Sequence, residues 1–331
     1  MEPLPGSGTV RWQAVSDLPH AGAQDGAART TIDGRGQMTG PRSAAAAADL
    51  GGSGAPPRPA GTGCAHDSWS GAEGPPWAFV HGLRAADLPA GSVDPLPVTE
   101  ADLAHLPRQA QRYLRFMGVI GRPRDWSLRA HLTGRFRLTA DGEWAPCEAW
   151  QYSWGGEPAR LFRMRMTVKG VPMTGWDTYL RGRGRMRGTV LGLVPVVRGS
   201  GPRFDTSELV TWLNDAVLMA PSMLLGPGTT WSAGPDDRSF DVALTDRGRT
   251  VSARVLLGPN GAPREFWTDD RYADLPGGLV RARWRTPVEG WTEVDGRPRM
   301  TGASAIWELC GGPFRYAELS PVTVEYNIPL P

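Results

Sequence analysis

Glu148 falls on the same parity as Trp144 and Trp150. A carboxylate on an apolar strand face must find a partner or hold a proton. Glu148 is therefore the candidate polar group of a pocket, placed to orient a ligand or to act as a general acid or base. Arg181, Arg183, Arg185 and Arg187 recur at every second position. On an extended strand that spacing lines four guanidinium groups along one face at ~6.5–7 Å intervals. Such a row can contact an anionic headgroup, or pair with acids, and Asp177 is expected on the same face. The glycines of "GRGRMRG" (182–188) are spaced G-x-G-x-x-x-G inside a strand pattern, with no helix opening after them. They make no phosphate cradle, which needs a helix N-terminus. His131 sits among Arg129, Thr133 and Arg135 with no second ligand placed beside it, so no metal site is expected.

Other chemistry is sparse. Cys64, Cys147 and Cys310 are far apart and read as isolated reduced thiols. The chain has no G-x-S-x-G elbow, HExxH, P-loop or Cys-x-x-Cys. No catalytic residue is assigned and no cofactor is expected. The remaining candidates are apolar. Trp126, Trp150, Tyr152, Phe162, Met164, Met166 and Trp176 share even numbering, and Trp212 joins them from a helix. Trp offers large contact area and Met adapts to irregular ligands. The eight could line a pocket or simply fill a core, and eleven Trp between residues 96 and 331 favour giving the pocket weight.

The elements that must position these side chains are mostly strands. "WSLRAHLTGRFRL" alternates strictly, with Trp126, Leu128, Ala130, Leu132, Phe136 and Leu138 even and Ser127, Arg129, His131, Thr133, Arg135 and Arg137 odd. One face is expected in a core and the other in water. "WAPCEAWQYSW", "LFRMRMTVK" and "TGWDTYLRGRGRMRG" continue the pattern, and further strands follow residue 238. Roughly ten strands at hairpin spacing, without helices between them, predict one antiparallel meander rather than a parallel fold.

Two helices interrupt it. Leu106, Ala110, Tyr113, Leu114 and Met117 form one stripe in the segment Leu96–Met117, with Pro107 in its first turn. In "DTSELVTWLNDAVLMAPSMLL" (205–225), Leu209, Trp212, Leu213, Ala216, Val217 and Ala220 follow helical spacing. Asp205 and Glu208 suggest a capping box, and Pro221 an end. Thr211, Asn214 and Asp215 mark the face expected toward water. An apolar helix must lie on an apolar surface, and a large sheet curls or splits. The fold class expected is α+β, mainly β: one large curled antiparallel half-barrel with two or more helices packed on its concave face.

Composition sets the boundaries. Of 331 residues, positions 1–95 are rich in Gly, Ala, Pro and Ser, with 6 Arg against 9 acids. Such a segment buries too little apolar surface to offset the entropy of ordering. It is read as a disordered tail, with a short ordered piece near "PPWAFVHGLRAADL", and 96–331 as a single half-barrel domain. The net charge is +2, and Lys169 is the sole lysine beside 35 Arg. That bias looks like a GC-rich genome, and no nucleic-acid partner is expected. The N-terminus lacks a basic start and an apolar run, and no stretch approaches the ~18 apolar residues of a membrane span. A cytoplasmic location, compatible with peripheral membrane association, is expected.

"LPRQAQRYLRFMG", "LGLVPVVRGSG", "SELVTWLNDAVLMAPSMLL", "LTDRGRTVSARVLLGPNG" and the closing "VTVEYNIP" resemble, in that order, an uncharacterised bacterial domain family common in actinobacteria. The resemblance spans Leu96 to Pro331 and implies no activity or catalytic residue. The expected architecture is similar to the half-barrel of bacterial lipoprotein carriers and lipid-binding lipoproteins. That likeness is of fold and does not fix function; a Trp- and Met-lined sheet face closed by a capped amphipathic helix points to non-enzymatic binding of an apolar or amphipathic, lipid-like ligand between sheet and helices. Two alternatives stay open: an enzyme using a pocket carboxylate such as Glu148, and a protein-interaction or structural module.

Overall fold

The computed structural model describes residues 75–89, 91, 96–275 and 277–330. Most of the segment read as a tail, and Cys64 within it, lie outside the described residues. Its short ordered piece is a helix, α1 (Trp77–Ala86). The Leu96–Met117 segment forms two helices, α2 (Glu100–Leu103) and α3 (Arg108–Phe116), because Pro107 cannot continue a helix and instead caps α3. The expected stripe of Leu106, Ala110, Tyr113, Leu114 and Met117 is buried.

Thirteen strands form one antiparallel sheet in the order β6-β5-β4-β3-β2-β1-β13-β12-β11-β10-β9-β8-β7. Strands β1 (Ser127–Phe136), β2 (Ala145–Trp154), β3 (Ala159–Val168), β4 (Val171–Leu180), β5 (Arg183–Val190) and β6 (Val194–Ser200) make one meander. The second runs through β7 (Thr229–Ala233), β8 (Ser239–Asp246), β9 (Arg249–Leu257), β10 (Pro263–Leu275), β11 (Gly278–Val294), β12 (Arg297–Leu309) and β13 (Gly312–Tyr326). The meanders join where β1 pairs with β13, leaving β6 and β7 as the two edges.

Helix α4 (Pro202–Met219) connects those edges. It packs against β4, β5 and β6 from one meander and β9, β10 and β12 from the other. Between β5 and β10 lie eight strand spacings in the sheet order, a span of ~38 Å if flat at ~4.8 Å per strand. A helix ~10–12 Å across touches both only because the sheet curls around it. The helix is thus the crossover that carries the chain from one rim of the half-barrel to the other, through its interior.

Two glycines let it seat there. A Cβ on Gly184 would stand 2.2 Å from the carbonyl oxygen of Phe204, and one on Gly199 would stand 2.2 Å from the Phe204 ring. The helix opens at Gly201, whose φ is 102°, four residues before the expected cap. Asp205 therefore does not cap it. It accepts instead from the Gly184 N–H at 2.8 Å and from Arg249 at 3.1 Å, anchoring the first turn to the sheet. The face expected in water is also enclosed: Thr211, Asn214 and Asp215 are all buried, as is Glu208, expected in the cap. A helix inside a curled sheet has no solvent side, so its polar residues must be satisfied internally.

The core is double. On the concave side, α3 and α4 share one apolar cluster with Leu128, Ala130, Leu132, Phe162, Met164 and Met166. On the convex side, Phe79 and Leu83 of α1 cover Trp126, Trp150, Tyr152 and Trp154. The first half of β1 is consequently buried on both faces, and Ser127, Arg129 and His131, expected in water, are not exposed.

Candidate functional site

The interior holds a cavity of about 260 Å³ between α4 and the concave face. Its apolar wall includes Phe162 and Met164 of β3, Met186 of β5, Met300 and Trp307 of β12 and Trp284 of β11. Its polar wall gathers Gln151 of β2, Arg160 of β3, Asp177 of β4, Glu208, Asn214 and Asp215 of α4, Arg271 of β10 and Thr286 of β11.

The polar wall is a charge cluster. Arg160 Nε donates to Asp215 at 2.7 Å, and Gln151 donates to the same carboxylate oxygen at 2.9 Å. Arg160 Nη1 lies 3.5 Å from Glu208. Burial alone would weaken the charge on Arg160, but the carboxylates of Asp215 and Glu208 outweigh it and raise its pKa. The guanidinium carbon of Arg271 lies over Trp284, 4.0 Å from the ring centre, and Arg271 donates to the Tyr316 hydroxyl at 3.2 Å. Thr286 donates to Asn214 at 2.5 Å.

Glu208 lies in this cluster without a hydrogen bond, as do Arg160 Nη1 and Arg271 Nε among the described residues. It is 1% exposed, and neither carboxylate oxygen accepts a hydrogen bond among the described residues. Burial first, and the neighbouring Asp177 second, push its pKa up to about 8, against the pull of Arg160 and Arg271. Asp177 is raised as well, by burial, while Arg160 and Arg271 draw it down. Asp177 keeps some exposure, which opens onto the cavity it lines. Three acids face two arginines here, and a pair of them near neutral pH gains by holding a proton.

Of the eight apolar residues expected at a ligand site, Phe162 and Met164 line the cavity. Met166 and Trp212 are in the concave core beside it, with Trp212 Nε1 donating to the Trp154 carbonyl at 3.2 Å. Trp126, Trp150 and Tyr152 belong to the convex cluster, with Trp176 packed against it. The parity argument joined them wrongly. Paired residues such as Trp150 and Arg163, or Phe162 and Asp177, have opposite parity, so each hairpin exchanges which numbers point inward.

Glu148 is likewise on the convex face. It accepts from Arg165 at 2.7 Å and meets His131 Nε2 at 2.7 Å, and His131 stacks on Trp150. It is not a pocket carboxylate. Arg181 is not in the arginine row: Arg181 and Gly182 form the β4–β5 turn, with φ of 50° and 77°. Arg183, Arg185 and Arg187 remain exposed on β5. The turn also reverses Asp177, which points into the cavity rather than toward those arginines.

Arg160, Glu208, Asp215 and Arg271 were missed as site residues. One signal was available. From Phe204 to Leu225 the chain has no basic residue, although it is Arg-rich elsewhere. A solvated helix face in this chain would carry arginine, so the polar stripe of α4 faces inward. Among the described residues, no group of three or more His, Cys, Asp or Glu is arranged to hold a metal. Nor is any helix long and apolar enough to cross a membrane.

Residues 97–319 match the profile of a family of unknown function, DUF6544. No curated protein matches the chain. Three solved structures are distantly similar. A domain named for outer membrane lipoprotein sorting from Vibrio parahaemolyticus is 12% identical, covering 60% of this chain and 85% of its own, with a TM-score of 0.36. A LolA superfamily protein from Nitrosomonas europaea is 17% identical, covering 65% and 92%, with a TM-score of 0.34. A DUF1329 family protein from Desulfovibrio piger is 13% identical, covering 66% and 92%, with a TM-score of 0.35.

Proposed function

The chain belongs to the DUF6544 family of unknown function, and for it we propose that the cavity under α4 binds a small amphipathic molecule without transforming it. The carrying observation is the mixed lining of one cavity, apolar side chains beside a buried charge cluster. Met164, Met186, Met300 and Trp284 offer an adaptable apolar surface. In the same lining, Glu208 is buried and neither of its oxygens accepts a hydrogen bond among the described residues, and a buried acceptor without a donor costs ~1–3 kcal/mol. A ligand whose head carries a hydroxyl or an amine supplies that donor, while its tail lies on the methionines.

Size narrows the class. Pockets for drug-sized ligands begin at about 300 Å³, and this one holds about 260 Å³. It suits a single short chain; a two-chain lipid would have to part α4 from the sheet.

Gly175 provides the test. It lines the cavity, and a Cβ there meets nothing within 4 Å. Gly175→Leu should fill the space while leaving the fold intact. In titration calorimetry with octylamine and with 1-octanol, the wild type is expected to bind at least one of them. Gly175→Leu should weaken that binding at least ~10-fold, which is ~1.4 kcal/mol. Failure of the wild type to bind either, or equal binding by a folded Gly175→Leu variant, would sink the reading.

An acid–base enzyme is the second reading, favoured by the pairing of Glu208 with Asp177. It predicts that a ligand recovered after incubation has changed mass, whereas the binding reading predicts the same molecule returned.

A further inference from the structure

We propose that the β5–β6 hairpin docks the protein on an anionic lipid surface by inserting its tip. The tip is apolar and bare. Leu191 is 61% exposed, Leu193 84% and Val194 55%. Leu191 has a φ of 54°, in the left-handed region where Asn or Gly would sit without strain. A leucine at that position is a poor choice for folding alone.

The two strands of the hairpin carry charge of one sign. Arg183 to Ser200 contains four arginines and no acid, of which Arg187 and Arg198 lie nearest the tip. On the exposed face, Arg187 stands directly opposite Arg198, and like charges so placed repel. Neither side chain has an ion-pair or hydrogen-bond partner among the described residues. Lys169, the sole lysine, occupies the neighbouring β3–β4 turn, which is tied to the tip by the Leu191 N–H on the Pro172 carbonyl at 2.9 Å. Arginines and a lysine behind an apolar point suit a bilayer interface. The basic groups meet acidic headgroups while the leucines enter the acyl boundary.

A protein partner fits less well. Three side chains fall far short of the ~1,000 Å² that a specific interface buries. A nucleic acid would use the arginines but leave the leucines in water. The apolar tip lies outside the cavity lining, to which the hairpin contributes only Met186 and Arg187.

The experiment is co-sedimentation of the full chain with vesicles of phosphatidylcholine alone or mixed with phosphatidylglycerol. The wild type is expected to bind the anionic vesicles at least ~10-fold better. Leu191→Ser with Leu193→Ser should lose most binding at every salt concentration. Arg187→Glu with Arg198→Glu should lose it chiefly at low salt, where charge attraction is unscreened. Both pairs lie on the surface, and unchanged thermal unfolding checks that each variant folds. No binding to anionic vesicles by the wild type would overturn the proposal. So would binding that survives both pairs of changes, or tip variants that alter only self-association.

Discussion

Gly184→Ala is expected to destabilise the protein by at least ~3 kcal/mol. The added Cβ would stand 2.2 Å from the Phe204 carbonyl oxygen, 2.6 Å from its carbon and 2.8 Å from the Asp205 nitrogen. All three are backbone atoms in the first turn of α4, so no side chain can rotate aside. Either the helix lifts off β5 by ~1 Å or the strand bows, and overpacking of this kind costs ~1–3 kcal/mol. Lifting the helix also stretches the Gly184 N–H to Asp205 bond and the Arg249 contact. Asp205 is 2% exposed, and weakening the partners of a buried charge adds to the loss. At ~2–4 °C per kcal/mol for a domain of this size, the midpoint should fall by roughly 6–12 °C. Gly175→Ala is the control, since its Cβ enters open space, and it should change stability by less than ~1 kcal/mol. Urea unfolding of both variants decides it. A Gly184→Ala protein as stable as the wild type would mean that α4 is not seated on β5.

That close approach was not legible in the sequence, though much around it was. Alternation in "WSLRAHLTGRFRL" predicts β1 and its inward Leu128, Ala130 and Leu132 correctly, because a single strand has a single parity. The error enters at the turns. Register between strands depends on loop length, and a two-residue turn such as Arg181–Gly182 pairs even with odd positions. Trp150 and Met164 therefore share a number class but face opposite sides of the sheet. Counting each strand separately, and asking which face α4 must cover, would have separated them.

The burial of α4 on all sides was hidden for a different reason. Periodicity assumes one wet face, and "ELVTWLND" satisfies it with Glu208, Thr211 and Asp215 on a single stripe. What makes that stripe internal is distant in sequence: Arg160 and Arg271 come from opposite meanders and meet only when the sheet curls. The convex cover was obscured by its surroundings. The segment Trp77–Ala86 sits within a Gly- and Ala-rich stretch, and its pairing with Trp150 and Tyr152 is a tertiary fact. The charge cluster, the candidate site itself, could be inferred only from the absence of arginine between Phe204 and Leu225.

Glu208 also sets how stability responds to pH. Its pKa is pushed from 4.5 in the unfolded chain to about 8 in the fold. Between those values the native protein holds a proton that the unfolded chain has released. The stabilisation is full below 4.5 and is lost as pH rises through about 8, with a slope on the order of 1.4 kcal/mol per pH unit. Asp177, raised in the same direction, reinforces it. The carboxylates held low by arginines, such as Asp269 and Glu318, act with the opposite sign but only below their ordinary range, outside this window. Urea unfolding between pH 5 and 8 should therefore show stability falling with pH. Glu208→Gln copies the protonated form and should abolish most of the fall, leaving the variant close to the wild type near pH 5 and more stable above pH 8. A wild-type profile that is flat or rising across the window would mean that Glu208 is ionised in the native state. Ionised Glu208 would need a close counter-charge, which Arg160 Nη1 supplies only at 3.5 Å. An amine-headed ligand would meet the same need directly: by ionising Glu208 on binding, it should release a proton, and the release should disappear in Glu208→Gln.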